Sequence, residues 1–75
     1  MNEMERNEKL AEAAYDAMYD PLPGMVAKMH YEDATMYFYR AAEAARRLGL
    51  IQDAVRLEQR RDHVRQVYNS QFRGL

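Results

Sequence analysis

Few side chains in this sequence are suited to nucleophilic chemistry. The 75 residues include no cysteine, and the aliphatic hydroxyls are those of Thr35 and Ser70. A serine nucleophile needs a neighbouring base and a third group that orients the base, so a Ser–His–acid arrangement would depend on Ser70 alone. Paired carboxylates acting as acid and base would need a cleft, which a few short helices rarely form. The sequence therefore predicts a protein that is not an enzyme.

The two histidines do not match a metal-binding pattern. In helical di-metal proteins a glutamate stands three residues before a histidine, but Ala27 precedes His30 at that spacing and Arg60 precedes His63. In an antiparallel helical hairpin His63 would lie opposite Met36, about 9 Å along the helix from His30. We therefore expect partly exposed histidines, no metal ion and no other cofactor. A small metal-dependent enzyme is the second alternative to a binding function.

Charge is divided unevenly along the chain, although the net charge is only −1. Residues 1–39 have a net charge of −5, and residues 40–75, with eight arginines and four acids, have a net charge of +4. Glu8, Glu12 and Asp16 follow one another at four-residue spacing, which costs an isolated helix about 0.2–0.5 kcal/mol per pair. We interpret this pattern as an acidic first helix that lies against an arginine-bearing third helix, in the same chain or in a second copy.

An alternative interpretation is that the arginines bind the phosphates of a nucleic acid while Tyr68 or Phe72 stacks on its bases. The pI of 6.1 argues against this alternative, because dedicated nucleic-acid-binding domains are usually strongly basic. The sequence also contains no helix-turn-helix, zinc-finger or RNA-binding motif. The arginines concerned are Arg40, Arg46, Arg47, Arg56, Arg60 and Arg65.

Tyrosine and methionine, with six residues each, are the side chains best suited to a protein partner. Tyrosine is enriched at contact surfaces, and methionine adapts to irregular apolar surfaces. Tyr37 and Tyr39 flank the apolar face of one helix on opposite sides, so both cannot face the same neighbour. The residues predicted to contact a partner are Met29, Met36, Tyr37 and Tyr39 as apolar anchors, with Arg56 and Arg60 as charged contacts.

Proline and glycine divide the chain into three helical segments that must position these residues. The breaks are the Pro-Leu-Pro-Gly stretch at 21–24 and Gly49, and no stretch alternates with the period of two that strands require. The sequence therefore predicts an all-α fold with helices at about 3–19, 25–48 and 51–72. Gly49 suits the left-handed position that ends a helix, so the second and third helices should form an antiparallel hairpin.

Apolar residues recur most regularly in the second helix. Their spacing alternates between four and three residues, as it does along the contact line, or seam, of two packed helices. The sequence leaves two alternative starts for this helix, one near Met25 and one near Tyr31, since no good N-cap residue precedes it. Asn2 with Glu5, by contrast, fits an N-cap pattern for the first helix. The seam residues are Ala27, Tyr31, Ala34, Phe38, Ala41, Ala45 and Leu48.

Arg61 interrupts the apolar seam of the third helix. If it is buried it requires a carboxylate, because an unpaired charge in a protein interior is costly. Glu58, one turn earlier, is the nearest candidate, with Glu12 or Asp16 of the first helix as alternatives. If Arg61 is exposed, the third helix is less buried than its apolar pattern indicates.

Strong core-forming residues are scarce. Only 13 of the 75 residues are Leu, Ile, Val or Phe, and a chain this short usually needs a staple or a partner. The shortage falls on the first helix, which offers little beyond Leu10, Met18 and alanines. We therefore predict one small helical domain over residues 1–75 that self-associates as a dimer, with the first helix packed on the hairpin or exchanged between copies.

Together these features favour a small non-enzymatic interaction or regulatory protein. The amino-terminal segment is acidic and lacks the character of a secretory signal. No apolar run approaches the roughly 20 residues of a membrane span. We therefore expect a cytoplasmic protein that binds a protein partner and no membrane, with nucleic-acid binding as the alternative function.

Overall fold

A computed structural model describes residues 1–20 and 26–72, which form helices and contain no β-strand. The predicted all-α fold is therefore confirmed. The third helix reaches the predicted end, although its last turn is π-helical and thus wider than an α-helical turn. In chain order the elements are α1 (Glu3–Tyr19), α2 (Ala27–Arg47), α3 (Ile51–Val67) and the π-helical turn (Tyr68–Phe72).

α1 begins at the N-cap predicted from the sequence. Asn2 Oδ1 accepts a hydrogen bond from the Glu5 amide at 2.8 Å, and the Glu5 carboxylate accepts one from the Asn2 amide at 3.4 Å. This reciprocal capping box satisfies two amides that the helix itself leaves without partners. At the other end of α1, the Asp20 amide donates to the Ala17 carbonyl at 3.3 Å.

α2 begins at Ala27, close to the earlier of the two predicted starts. Val26 precedes it in an extended conformation (φ −118°, ψ 157°) and makes no side-chain capping hydrogen bond. Met25 itself lies outside the described residues. The later start near Tyr31 is excluded, because the Met29 amide already donates to the Val26 carbonyl at 3.0 Å.

A glycine-centred turn joins α2 to α3, as predicted. Gly49 has a φ of +77°, a left-handed conformation that glycine reaches without a steric penalty. The Leu50 amide donates to the Ala45 carbonyl at 2.8 Å, and the Gly49 amide donates to the Arg46 carbonyl at 3.1 Å. These two bonds form a Schellman motif, which reverses the chain and makes α2 and α3 an antiparallel hairpin.

α2 lies between the other two helices and contacts both. α1 is antiparallel to α2, because Glu3 at the start of α1 pairs with Arg47 at the end of α2. α1 and α3 therefore run parallel to each other. The contact of α1 with α2 is more extensive than that of α2 with α3. The first helix thus contacts the hairpin of its own chain, and its exchange with a second copy stays a prediction.

The core consists of alanines around a few larger side chains. The largest fully buried side chains are those of Phe38, Met18, Leu57 and Val64. Small side chains at the contact let helix axes approach closely, so this chain obtains a packed interior with few strong core-forming residues. The buried alanines are Ala11, Ala34, Ala41, Ala42, Ala44, Ala45 and Ala54.

The predicted apolar faces are buried in the middle of the helices. Two residues that were predicted to be buried are exposed instead. Leu48, the last residue of the predicted α2 seam, is exposed. Leu10, predicted as a core residue of α1, is 44% exposed. Met4, Ala11 and Met18, spaced seven residues apart, form the buried stripe of α1. Leu10 lies about 100° away from Ala11 around the helix and so points away from this stripe.

Candidate functional site

The acidic side of α1 faces the arginine side of α3. Arg56 donates two hydrogen bonds to the Glu8 carboxylate, at 2.6 and 3.2 Å. Arg60 forms the same bidentate arrangement with Glu12, at 2.7 and 3.2 Å. The two pairs confirm that an acidic first helix lies against an arginine-bearing third helix, and they place the contact within one chain.

Arg56 and Arg60, two of the predicted partner contacts, are therefore engaged inside the molecule. The hydrogen bond to Glu8 raises the pKa of Arg56, and the hydrogen bond to Glu12 raises the pKa of Arg60. Both guanidinium groups stay charged as long as the protein is folded. Exposed pairs of this kind contribute about 0–1 kcal/mol each, which is similar in size to the repulsion between like charges along each helix.

Most of the arginines considered for phosphate contact also have carboxylate partners. Arg40 is the exception among the six, and its guanidinium carbon lies 5.9 Å from the centre of the Tyr37 ring. A nucleic acid would have to displace the carboxylates from the other five, so the pairing gives the nucleic-acid alternative no support. The pairs are Arg46–Glu58, Arg47–Glu3, Arg56–Glu8, Arg60–Glu12 and Arg65–Asp62.

Arg61 is half-buried, between the two states considered from the sequence. Its nearest predicted partner, Glu58, binds Arg46 instead. The Arg61 guanidinium carbon lies 5.3 Å from the centre of the Tyr39 ring, a cation–π contact that stabilises a charge without a carboxylate. Its Nε is buried and has no hydrogen-bond partner among the described residues. The guanidinium borders an open cavity of about 360 Å³ that also has acidic walls.

The four predicted apolar anchors do not form one patch. Met29 and Met36, seven residues apart, share the outer face of α2, where Met29 is exposed and Met36 half-buried. Tyr37 packs against the buried core. Tyr39 lies about 200° from Tyr37 around the helix, is exposed, and donates a hydrogen bond to Glu43 Oε2 at 3.2 Å. Met29, Met36 and Tyr39 are therefore on the outer side of α2, whereas Tyr37 is turned towards the core.

Aromatic side chains from all three helices meet at the end of the molecule opposite the hairpin turn. The rings of Tyr31 and Tyr68 stack with centroids 4.1 Å apart. The ring of Tyr19 meets that of Phe72 edge-on at 5.2 Å. The π-helical turn carries Tyr68 and Phe72 with their rings nearly parallel, 6.5 Å apart. This region is termed the aromatic end.

Tyr15 connects the aromatic end to the middle of the bundle. Its hydroxyl lies 3.3 Å from His63 Nε2 and 3.4 Å from the Tyr19 hydroxyl. Burial, followed by the interaction with Tyr19, raises the pKa of Tyr15 to about 12. A phenol with this pKa stays protonated at neutral pH, so Tyr15 is a hydrogen-bonding group and is poorly suited to act as a base or nucleophile.

The aromatic end contains an open cavity of about 500 Å³. Two of its lining residues are largely exposed, Val26 at 58% and Tyr19 at 53%. Lys28 is the only charged residue among the described residues that line it. The cavity, termed the aromatic groove, is lined by Met18, Tyr19, Val26, Ala27, Lys28, Tyr68 and Phe72.

The groove was not predicted, although the sequence carries two signals of it. Tyr15 and Tyr19 are four residues apart, as are Tyr68 and Phe72, so each pair shares one face of its helix. The sequence does not show that α1 and α3 run parallel and end at the same level. That alignment brings the two pairs together.

His30 is buried, which corrects the expectation of two partly exposed histidines. It shares a helix face with Ala34 and Ala41, four and eleven residues later. Its Nε2 is buried, and no residue in the described part of the chain hydrogen-bonds to it. His63 is exposed on α3. Within residues 1–20 and 26–72, no group of three or more His, Cys, Asp or Glu side chains is arranged to hold a metal ion.

The helices of the described part of the chain are too short or too polar to cross a membrane. No protein-family model, curated protein or solved structure matches the chain. The aromatic groove is therefore the candidate site on the geometry and chemistry of its own residues.

Proposed function

We propose that the protein is a small non-enzymatic interaction module whose aromatic groove binds an aromatic or large aliphatic side chain of a partner protein. The observation that carries this proposal is an open cavity of about 500 Å³ with tyrosine and phenylalanine rings in its walls. Anchoring side chains that enter such pockets dominate the energetics of many interfaces. Ring faces and edges also offer favourable geometries to an incoming aromatic group.

Lys28 indicates the chemistry next to the anchoring side chain. Among the described residues no carboxylate lies within 4.0 Å of its ammonium group. A carboxylate of the partner would meet this cation at the edge of the groove, where charge complementarity favours association and orientation. The ligand is therefore a segment with an aromatic or aliphatic anchor beside an acidic residue. Exposed Val26 and Met29, on the first turn of α2, extend the contact surface.

The groups around the groove support binding rather than catalysis. Tyr15 remains protonated because its pKa is raised to about 12. The described residues that line the groove are apolar or aromatic apart from Lys28. Such a set can desolvate and orient a side chain but supplies no positioned pair of acid and base.

The proposal can be tested with the substitution Val26→Asp, which separates folding from binding. Val26 has the extended conformation of an N-cap residue but no capping side chain, and aspartate at an N-cap stabilises a helix by about 1 kcal/mol. The same substitution places a negative charge in the groove. Peptides selected from a random phage-displayed library on the wild-type protein should bind the Val26→Asp variant at least about tenfold more weakly in calorimetric titration.

Leu10→Asp is the matched control, because Leu10 is exposed on α1 and does not line the groove. This variant should bind the selected peptides with wild-type affinity. Lys28→Gln should weaken the binding of the acidic peptides and reduce its dependence on salt. Equal affinity of the Val26→Asp and Leu10→Asp variants, or failure of the library to yield any peptide, would contradict the proposal.

A further inference from the structure

Exposed aliphatic side chains gather at the hairpin turn, at the opposite end of the molecule from the aromatic groove. Leu48 is 52% exposed, Leu50 38%, Ile51 53% and Val55 44%. All four come from eight consecutive residues around Gly49 and are termed the hairpin-tip patch. In a Schellman motif the residue after the glycine commonly packs against the preceding helix. Leu50 does so only in part, which leaves apolar surface at the turn.

The patch combines protruding side chains with open space. Apart from Gly49 and its two chain neighbours, no heavy atom of the described residues would lie within 4 Å of a Cβ atom built on Gly49. A shallow cavity of about 250 Å³ lies beside it, lined by Gly49, Leu50, Ile51, Gln52 and Asp53. A surface that holds both a knob and a recess can fit a copy of itself when the two are related by a two-fold axis.

Charged groups around the patch are already paired within the chain. Like charges brought together across an interface are unfavourable, and a contact between identical surfaces brings each charged group towards its own copy. Internal pairing reduces this repulsion, and it also leaves little free charge to attract a partner of opposite sign. The pairs are Arg46–Glu58, Arg47–Glu3 at 2.8 Å and Arg56–Asp53 at 3.3 Å.

We propose that the hairpin-tip patch binds the same patch of a second copy, so that two chains join tip to tip. The contact would bury aliphatic side chains that the single chain leaves exposed. This chain has only 13 strong core-forming residues in total. The molecule is 39 Å long, with the tip and the aromatic groove at opposite ends. Such a dimer presents two grooves facing away from each other. The inference does not depend on what the groove binds.

The first test is the mass of the protein in solution, measured by light scattering after size exclusion at about 100 µM. The wild-type protein should have the mass of two chains. Ile51→Glu should have the mass of one chain, because it places a charge in the patch. Ile51 is the first residue of α3, where a glutamate is compatible with the helix. Leu10→Glu, an equal change on exposed α1 surface, should remain a dimer.

The second test locates the contact with single cysteines, which is straightforward because the chain has none of its own. Gln52 and Gln66 are both exposed on α3, about 21 Å apart along the helix. A disulfide between copies needs Cα atoms within about 7 Å. Under mild oxidation Gln52→Cys should therefore cross-link many times faster than Gln66→Cys. A wild-type mass of one chain, a two-chain mass for Ile51→Glu, or faster cross-linking of Gln66→Cys would each overturn the proposal.

Discussion

The hairpin tip and the aromatic end both leave apolar side chains exposed, and they are built in different ways. The hairpin-tip patch comes from eight consecutive residues, and its backbone follows a local rule centred on Gly49. The aromatic end takes its rings from all three helices, so that Tyr31 stacks on Tyr68 from 37 residues away in the sequence. The tip is aliphatic and protruding, whereas the opposite end is aromatic and concave.

This difference indicates two kinds of contact. A protruding aliphatic surface with internally paired charges suits an identical surface. A groove with ring walls and Lys28 at its edge suits one side chain of a different protein. The alanine core and the Arg60–Glu12 pair lie between the two ends. We therefore expect the two ends to be independent contact surfaces of a domain that unfolds as one cooperative unit.

Phe38→Ala should have the largest effect, because it removes the core side chain between the two ends. Phe38 is fully buried, and truncation of such a residue lowers the free energy of unfolding by about 3–5 kcal/mol. If the ends share one core, urea unfolding followed by tyrosine fluorescence and by far-UV circular dichroism should shift to the same midpoint.

Leu10→Ala is the control, since Leu10 is exposed and lies outside both proposed contact surfaces, so its truncation should hardly change the midpoint. Phe38→Leu keeps a measurable transition in case the alanine variant does not fold. Separate midpoints for the two signals in the Phe38→Leu variant would show that the ends unfold independently.

Gly49→Ala should have an intermediate effect, at the hairpin tip. A Cβ atom there meets no heavy atom of the other described residues within 4 Å, its two chain neighbours aside, so the penalty comes from the φ of +77°. A left-handed conformation costs most L-residues about 1–2 kcal/mol, and asparagine tolerates it better. Gly49→Asn should therefore lower the free energy of unfolding less than Gly49→Ala does. An equal loss for both variants would argue against a purely conformational penalty.

Tyr15→Phe should have the smallest effect, at the aromatic end, and the pH-dependent part of this effect should appear only at alkaline pH. The pKa of Tyr15 is raised from 10.0 to about 12 in the folded state, so the unfolded chain loses this proton first. The resulting stabilisation is fully present below pH 10 and is lost as the pH rises from about 10 to about 12.

Between about pH 9 and about pH 11, the free energy of unfolding should thus fall more steeply for the wild-type protein than for Tyr15→Phe. Chemical denaturation at the two pH values measures this difference. Equal slopes for wild type and Tyr15→Phe would contradict the assignment.

Features with local causes were predictable from the sequence. The capping box of Asn2 and Glu5 and the turn at Gly49 each involve a few neighbouring residues, and both are confirmed. Leu10 and His30 were assigned to the wrong environments, because an apolar or polar character does not by itself decide which face of a helix meets its neighbour. In α1 the seven-residue spacing of Met4, Ala11 and Met18 indicates the buried face better than the apolar character of Leu10 does.

The candidate site was predictable only in part. Met29 and Met36 lie on the outer face of α2, as a partner contact requires, and their role stays a prediction. Arg56 and Arg60 carry complementary charge as expected, but the charge they meet belongs to their own chain. The aromatic groove combines residues of different helices, so the four-residue spacing within the Tyr15–Tyr19 and Tyr68–Phe72 pairs could not reveal it without their alignment in space.

The sequence by itself determined three helices, a hairpin at Gly49 and an attraction between the first and third helices, because these depend on short-range capping, turn and charge-spacing rules. Only the tertiary structure decided which acid meets which arginine and which aromatic residues converge. The physical reason is packing. The alanine-rich faces of α2 fix the positions of its two neighbours, and their parallel alignment brings Tyr19 and Phe72 to the same end of the molecule.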